Sequence, residues 1–293
     1  MYCDLHTHST ASDGGTPPQE LPAQARGAGL AALALTDHDT AAGLPACAAA
    51  AGEVGVCFVP GIELSANRAA LKPAPYTPAP GDRLGTLHLL GLFIRHDDPG
   101  LAALCRDVAQ ARAQRNPQII ARLNEMGLSI SYDEVLALVQ AQGGQVIGRP
   151  HIGQVLVAKG YAASVQDAFA RYIGEGRPAY VRKDLLPPGR AIDAIHKAGG
   201  LAILAHPIQM RCADAAELEY TVKRLAEMDL DGLEVWHCDH GPAEIQAYAA
   251  LAQRLGLLVS GGSDYHGPRK AVALGSQQVP VEVFEALRDV AGL

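Results

Sequence analysis

The chain opens with Asp4-Leu5-His6-Thr7-His8, two histidines one residue apart, and an acid, Asp13, follows five residues later. Alternate side chains of an extended strand share a face, so His6 and His8 point the same way and suit a divalent metal. One such pair is equally at home in a polar strand. The same residue types recur, however, as His38 after Thr36-Asp37, Glu63 after Gly61-Ile62, His88 within an apolar run, and His206 in Leu204-Ala205-His206-Pro207. Asp264 and His266 repeat the x-skipping pattern in Gly262-Ser263-Asp264-Tyr265-His266. The nine residues His6, His8, Asp13, His38, Glu63, His88, His206, Asp264 and His266 exceed what one ion needs, and with a bridging carboxylate they suit roughly two or three ions. Imidazole and carboxylate without thiolate favour manganese, with iron or zinc as alternatives, over magnesium alone. A cluster of this kind activates water and clamps phosphate oxygens.

The elements that carry these residues alternate. A helix begins at Pro17-Pro18-Gln19-Glu20, where proline is tolerated in the first turn, and runs to about Gly27. An apolar run at 30–36 reads as a buried strand, an alanine-rich helix covers about 44–52, and 56–63 is the next strand. Residues 68–83 carry four prolines and read as a surface loop. Later, helix 190–198 with its glycine stop precedes strand 201–207, strand 231–237 follows another helix, and a last helix-strand pair delivers 257–266. Strand-helix alternation predicts an α/β fold with a parallel sheet, a distorted (β/α)7-type barrel of six to eight strands. Ligand-type residues then gather at carboxyl ends of strands, where such barrels place active sites.

The middle of the chain differs. Helical spacing over 101–126, a capping box at Ser131-x-x-Glu134 and a helix start at Ser164-x-x-Asp167 predict a small helical domain at 100–187, inserted into a barrel formed by 1–99 and 188–293. Its basic clusters, Gly148-Arg149-Pro150-His151 and Tyr180-Val181-Arg182-Lys183, suit either a solvated surface or a cationic lid over an anionic ligand. His96, His196, His237 and His240 read as surface or helix histidines, with His237 and His240 near enough to a strand end to touch substrate.

A length of 293 residues, 48% of them hydrophobic, suits one barrel with an insertion. The net charge of -7 argues against a surface that tracks duplex nucleic acid. Six scattered cysteines without a CxxC pair suit reduced thiols. With no apolar run of membrane-spanning length and no signal-like start, a soluble cytoplasmic protein is expected.

His6-Thr7-His8, Thr36-Asp37-His38-Asp39, Gly61-Ile62-Glu63, His88, Leu204-Ala205-His206-Pro207 and Gly262-Ser263-Asp264-Tyr265-His266 together resemble, in order, the motifs of the PHP (polymerase and histidinol phosphatase) superfamily. The Gly148-Arg149-Pro150-His151 motif and the helical insertion further resemble its short phosphoesterases that act on nucleoside 3',5'-bisphosphates and on 5' ends of short RNA. The resemblance implies one metal on His6, His8, Glu63 and Asp264, a second on Glu63, His88 and His206, and a third on Asp13, His38 and His266. Asp37 or Asp39 would be an outer partner fixing the His38 tautomer. It also implies hydrolysis by metal-activated water, with Asp13 or His266 passing a proton, and Arg149 gripping a phosphate with Lys183, His151 and His240 assisting. The partner is then a small nucleotide or short oligonucleotide, with no obligatory protein partner. A small-metabolite phosphatase for a compound such as histidinol phosphate is the nearest alternative. An amidohydrolase, for which no carboxylated-lysine strand is evident, and a non-catalytic metal-stabilised module rank below it.

Overall fold

The computed structural model describes residues 1–72, 86–142, 147–181 and 186–293. Lys183 and most of the proline-rich loop lie outside the described residues.

Eight strands form one sheet in the order β7-β6-β5-β4-β3-β2-β1-β8. These are β1 (Tyr2–Asp4), β2 (Leu30–Leu35), β3 (Cys57–Ala66), β4 (Leu87–Leu92), β5 (Leu201–Leu204), β6 (Gly232–Trp236), β7 (Leu258–Gly261) and β8 (Val279–Pro280). β1, β2 and β3 pair in parallel, as do β5, β6 and β7. The sheet curls until the chain beyond β1 meets the chain beyond β7: Leu5 N–H donates to Gly261 O at 3.1 Å, Asp264 N–H to His6 O at 2.9 Å, and His8 N–H to Tyr265 O at 2.8 Å. The result is a nearly closed barrel.

Two strands depart from the all-parallel expectation: the short β8 runs antiparallel to β1, and β4 is the case that bears on the site. β4 runs antiparallel to both β3 and β5. His88 therefore stands near the amino end of its strand, not the carboxyl end, yet reaches the same rim as the carboxyl ends of the parallel strands. An antiparallel neighbour needs no crossover connection, whereas a parallel one does.

Strand alternation divides the core. On β2, Leu33 and Leu35 pack outward into the layer of α1 (Leu21–Gly27) and α2 (Leu44–Val54), together with Ile62, Leu64 and Leu233. Ala32 and Ala34 face the other way, with Leu5, Leu90, Leu92 and Ile203, and α10 (Val281–Val290) closes this end with Phe284 and Leu287. The barrel is thus dry and apolar at one end. Its outer layer is completed by α7 (Pro188–Lys197), α8 (Ala215–Ala226) and α9 (Pro242–Leu255).

Between β4 and α7 lie α3 (Pro99–Glu125), α4 (Tyr132–Ala141), α5 (Arg149–Ala158) and the short α6 (Val165–Ala168), which passes into a π-turn over Phe169–Ile173. Asp98 caps α3, and the Ser131/Glu134 capping box opens α4 with both of its hydrogen bonds. The first turns of α3 bury Leu101 and Leu104 in the barrel's outer core, whereas Ile119, Ile120 and Leu123 join Val135, Val139, Ile152 and Ile173 in a separate apolar cluster. One long helix thereby ties the helical segment to the barrel. All six cysteines are free, and no helix of the described residues is long and apolar enough to cross a membrane.

Candidate metal centre

At the open rim, Glu63 is the hub. Its Oε1 lies 2.7 Å from His88 Nδ1 and 2.8 Å from His206 Nε2, while Oε2 lies 2.9 Å from His38 Nδ1, 3.2 Å from His8 Nε2 and 3.3 Å from His6 Nε2. Asp264 is a second hub, with Oδ1 3.2 Å from His8 Nε2 and 3.4 Å from His266 Nδ1. Asp13 Oδ1 lies 3.3 Å from His266 Nε2 and 3.9 Å from His38 Nε2. All nine residues singled out from the sequence converge here.

Strand geometry explains the convergence. Asp4, His6 and His8 alternate with Cys3, Leu5 and Thr7, so the polar set enters the barrel while Cys3 and Leu5 join the apolar end. Backbone strain marks the site as well: His206 (φ 25°) and Asp264 (φ 54°) lie at positive φ without being glycines, conformations that cost about 1–3 kcal/mol each.

Whether metal suits this set can be asked of the nitrogens themselves. His6 Nε2, both ring nitrogens of His8, His38 Nδ1 and His206 Nδ1 are buried and find no hydrogen bond. Lone pairs of several imidazoles thus crowd carboxylate oxygens at contact distance without hydrogen-bond geometry, which is costly unless a cation sits among them. Four groups of three or four donors each lie within 4.8 Å of one another here: His6-Glu63-His206, His38-Glu63-His88, His6-His237-Asp264 and His8-Asp13-His38-His266. The residues fit divalent ions.

The charges are mutually dependent. Burial opposes ionisation of Glu63, but His38, His88 and His6 outweigh it and hold its carboxyl well below the usual range. For Asp13 and Asp264 burial is likewise overridden by the imidazoles around them. His38 is raised to about 9 against the cost of burial by Glu63 and Asp13. His88 goes the other way, since burial outweighs Glu63.

Several participants lie outside the nine. Glu234, fully buried on β6, places Oε1 2.9 Å from His6 Nδ1, and its Oε2 accepts from His206 N–H at 2.6 Å. His237, expected on the surface, is instead fully buried with Nε2 3.3 Å from Asp264 Oδ2, because the chain leaves β6 into the rim. Burial resists its protonation, but Asp264, Cys238 and Glu234 raise it to about 10. Lys270 Nζ donates to Asp264 Oδ2 at 2.5 Å. His240, expected against substrate, is buried one layer behind His237, with Nδ1 2.8 Å from Val235 O and its ring edge-on to Tyr248.

Asp37 also departs from expectation. Its carboxylate accepts from Ser9 N–H, Ser9 Oγ and Ser12 Oγ at 2.5–2.8 Å, so it braces the loop behind His8 rather than the His38 ring. Asp39 accepts from Ser65 N–H and Oγ and pairs with Arg112. Adjacent residues point to opposite faces, which takes Asp37 away from the His38 side chain.

Cations from the helical segment line one side. Arg112 stands beside Arg149 and Arg115, and burial together with these like charges lowers Arg115 to about 9. The Arg149 guanidinium lies 5.3 Å from the Tyr180 ring centroid and 5.6 Å from that of Phe169, donates weakly to Ile173 O, and pairs with no carboxylate among the described residues. His151 is buried at the start of α5 beside Arg269.

A barrel whose rim collects imidazoles and carboxylates around shared points, walled by arginines, defines a metal-dependent hydrolase of phosphoric esters. The chain belongs to the PHP domain family, which matches residues 4–178, and is accordingly a metal-dependent phosphoesterase. It is 33% identical to a 5'-3' exoribonuclease of Haemophilus influenzae over 93% of this chain and 92% of that protein. It is 32% identical to a 3',5'-nucleoside bisphosphate phosphatase of Chromobacterium violaceum over 90% of this chain and 87% of the relative. A phosphoribosyl 1,2-cyclic phosphate 1,2-diphosphodiesterase of Eggerthella lenta is 34% identical over 91% and 95% of the two chains. Among solved structures, a metal-dependent phosphoesterase of Bifidobacterium adolescentis superposes with a TM-score of 0.83 at 30% identity, covering 97% of this chain and 94% of that one.

Proposed function

We propose that the chain hydrolyses a phosphate monoester of a small nucleotide, foremost the 3'-phosphate of a nucleoside 3',5'-bisphosphate, with 5'-to-3' degradation of short 5'-phosphorylated oligonucleotides as a related use of the site. Arg149 carries the reading: a guanidinium set against two aromatic rings, in no ion pair with a carboxylate among the described residues, beside a centre that already has its anions. A bidentate donor so arranged suits a second phosphate that is not the one cleaved. Relatives of about one-third identity named for bisphosphate and RNA 5'-end chemistry support the same substrate class.

Glu63, His88 and His206 suit one ion, His6, His8 and Asp264 another that shares Glu63, and Asp13, His38 and His266 a third; manganese is the metal proposed, with iron and zinc as alternatives. Bound divalent ions supply acidity to a nucleophilic water and positive charge to the phosphate oxygens. The residues of the chain do the rest. The carboxylates of Asp4, Asp37 and Glu234 hold the loops that carry the ligands, and Arg112 and Arg115 keep the wall beside Arg149 positive. Where only two ions are bound, the Asp13–His266 pair at the open edge is free to pass a proton to the leaving oxygen.

Replacing Arg149 by Ala raises KM for a nucleoside 3',5'-bisphosphate by about tenfold or more and leaves KM for an aryl phosphate nearly unchanged. Equal effects on the two substrates would remove Arg149 from the substrate grip. A phosphate-release panel that includes histidinol phosphate separates the bisphosphate reading from a small-metabolite phosphatase, which has no use for a second cationic subsite.

A further inference from the structure

We propose that Lys270 and His237 are positioning residues for Asp264: together they occupy its Oδ2, so that Asp264 meets an ion through Oδ1 alone. The proposal rests on the assignment of one ion to His6, His8, Glu63 and Asp264, and adds to it two side chains that ligate nothing themselves.

The hydrogen bonds separate ligand from support. His6 Nε2 and His8 Nε2 are buried and find no hydrogen-bond partner, and His6 Nδ1 meets Glu234 Oε1 at 2.9 Å, which leaves the Nε2 lone pair for an ion. His237 is the opposite case. Its Nδ1 accepts from Asp239 N–H at 3.0 Å, so Nε2 carries the ring proton and donates to Asp264 Oδ2 at 3.3 Å. A second proton on the ring would leave that donor in place. His237 therefore stands among metal-type donors with no lone pair to offer the centre.

Lys270 supplies the other bond. Its Nζ donates to the same Oδ2 at 2.5 Å. A carboxylate oxygen has about two lone-pair sites, so these two donors use up Oδ2. Oδ1 stays turned to the centre, 3.2 Å from His8 Nε2 and 3.6 Å from His6 Nε2. Carboxylates bind divalent ions through one oxygen or through both. With Oδ2 taken, chelation is closed, and one more place is left for water or a phosphate oxygen than a chelating carboxylate would leave.

Three elements meet in this arrangement. Asp264 follows β7, His237 leaves β6, and Lys270 follows the short helix at Gly267–Arg269. Gly262 N–H donates to Trp236 O at 2.9 Å, which ties the exits of β6 and β7 together. The positive φ of Asp264 aims its side chain, and the two donors fix the rotation of the carboxylate.

Lys270 also has an effect of the opposite sign. A cation beside the centre repels divalent ions, so a lysine that acted only through its charge would, once removed, let manganese bind more tightly. Positioning predicts the reverse.

The experiment is a titration of manganese into the metal-free full-length protein, with free manganese read by its paramagnetic resonance signal and a urea midpoint measured for each metal-free variant. Wild type is expected to bind about two to three equivalents. Lys270→Met and His237→Asn are each expected to weaken one of these about tenfold and to leave the rest unchanged. Asn keeps an acceptor where Nδ1 stands but loses the donor to Asp264. Gln keeps a donor where Nε2 stands, so His237→Gln is expected to stay within about threefold of wild type, at a urea midpoint matching that of His237→Asn. Lys270 lies at the partly exposed edge, and Lys270→Met carries the test where His237→Asn fails to fold. Manganese bound by Lys270→Met as tightly as by wild type or more tightly, or by His237→Gln as weakly as by His237→Asn, would overturn the positioning alone. Wild-type protein that takes up less than about one equivalent would overturn the ion assignment itself.

Discussion

Glu234 is the residue that most changes the account of the site. Its two oxygens reach two metal-ligand candidates from different strands, fixing the His6 ring through Nδ1 so that Nε2 turns inward, and holding the backbone of His206. Carboxylate partners of ligating histidines typically matter 10–100-fold. Glu234→Gln is therefore expected to lower bound metal and kcat together by about that range, checked by metal analysis and turnover. The same group sets a pH dependence in the metal-free protein. Burial resists its ionisation, but His6, and after it His237 and His206, hold its pKa at about 2 against an ordinary 4.5. A folded-state value below the unfolded one contributes stability that is complete above about 4.5 and disappears as pH falls towards 2. The difference in unfolding free energy between metal-free wild type and Glu234→Gln should accordingly shrink between pH 5 and about 2.5; a constant difference would contradict this.

At the same scale, the sequence displayed the nine convergent residues because each ends a run or breaks an apolar pattern. It also displayed Glu234, since Leu233 and Val235 bracket it and only inward placement suits that alternation, but a lone acid within one strand does not stand out without its partner. Arg112, Arg115, Arg269 and Lys270 were not legible. Basic residues on a helix or after a turn are ordinarily solvated, and only the tertiary fold brings these to the rim.

Among the elements, the closure between the ends of β1 and β7 bears most directly on the centre, because it sets Asp264 against His6 and His8. Gly262 makes it possible. A Cβ there would lie 2.4 Å from His6 N and 2.4 Å from His6 Cβ, so no side chain fits without separating the strands. Gly262→Ala is expected to destabilise the protein by about 3 kcal/mol, the upper part of the usual range for overpacking, read as a shift in the urea midpoint, with loss of metal. An unchanged midpoint would show that the closure is loose.

The antiparallel β4 is the element the sequence reading missed. Its signal was present in the sequence: the stretch before the strand at 87–92 carries four prolines and has no helical pattern, and without a crossover a neighbouring strand returns antiparallel. The capping residues, by contrast, were read correctly at Ser131 and Ser164, because a cap is a local interaction that neighbours in sequence suffice to specify.

At the scale of the molecule, one end of the barrel is apolar and sealed by α10, and the other gathers nearly every buried charge. A protein stable enough to hold strained ligands and crowded imidazoles draws on that dry end and on the outer helical layer. The helical segment has an apolar cluster of its own and brings Arg112 and His151 beside the rim residues Asp39 and Arg269. The central claim is that the rim holds a cluster of divalent ions. Metal analysis of the protein after equilibration with manganese and desalting tests it most directly: the account predicts two to three equivalents per chain, lost together with activity on chelation and regained with manganese. A folded protein that retains less than about one equivalent, yet hydrolyses phosphate esters at an undiminished rate, would contradict it.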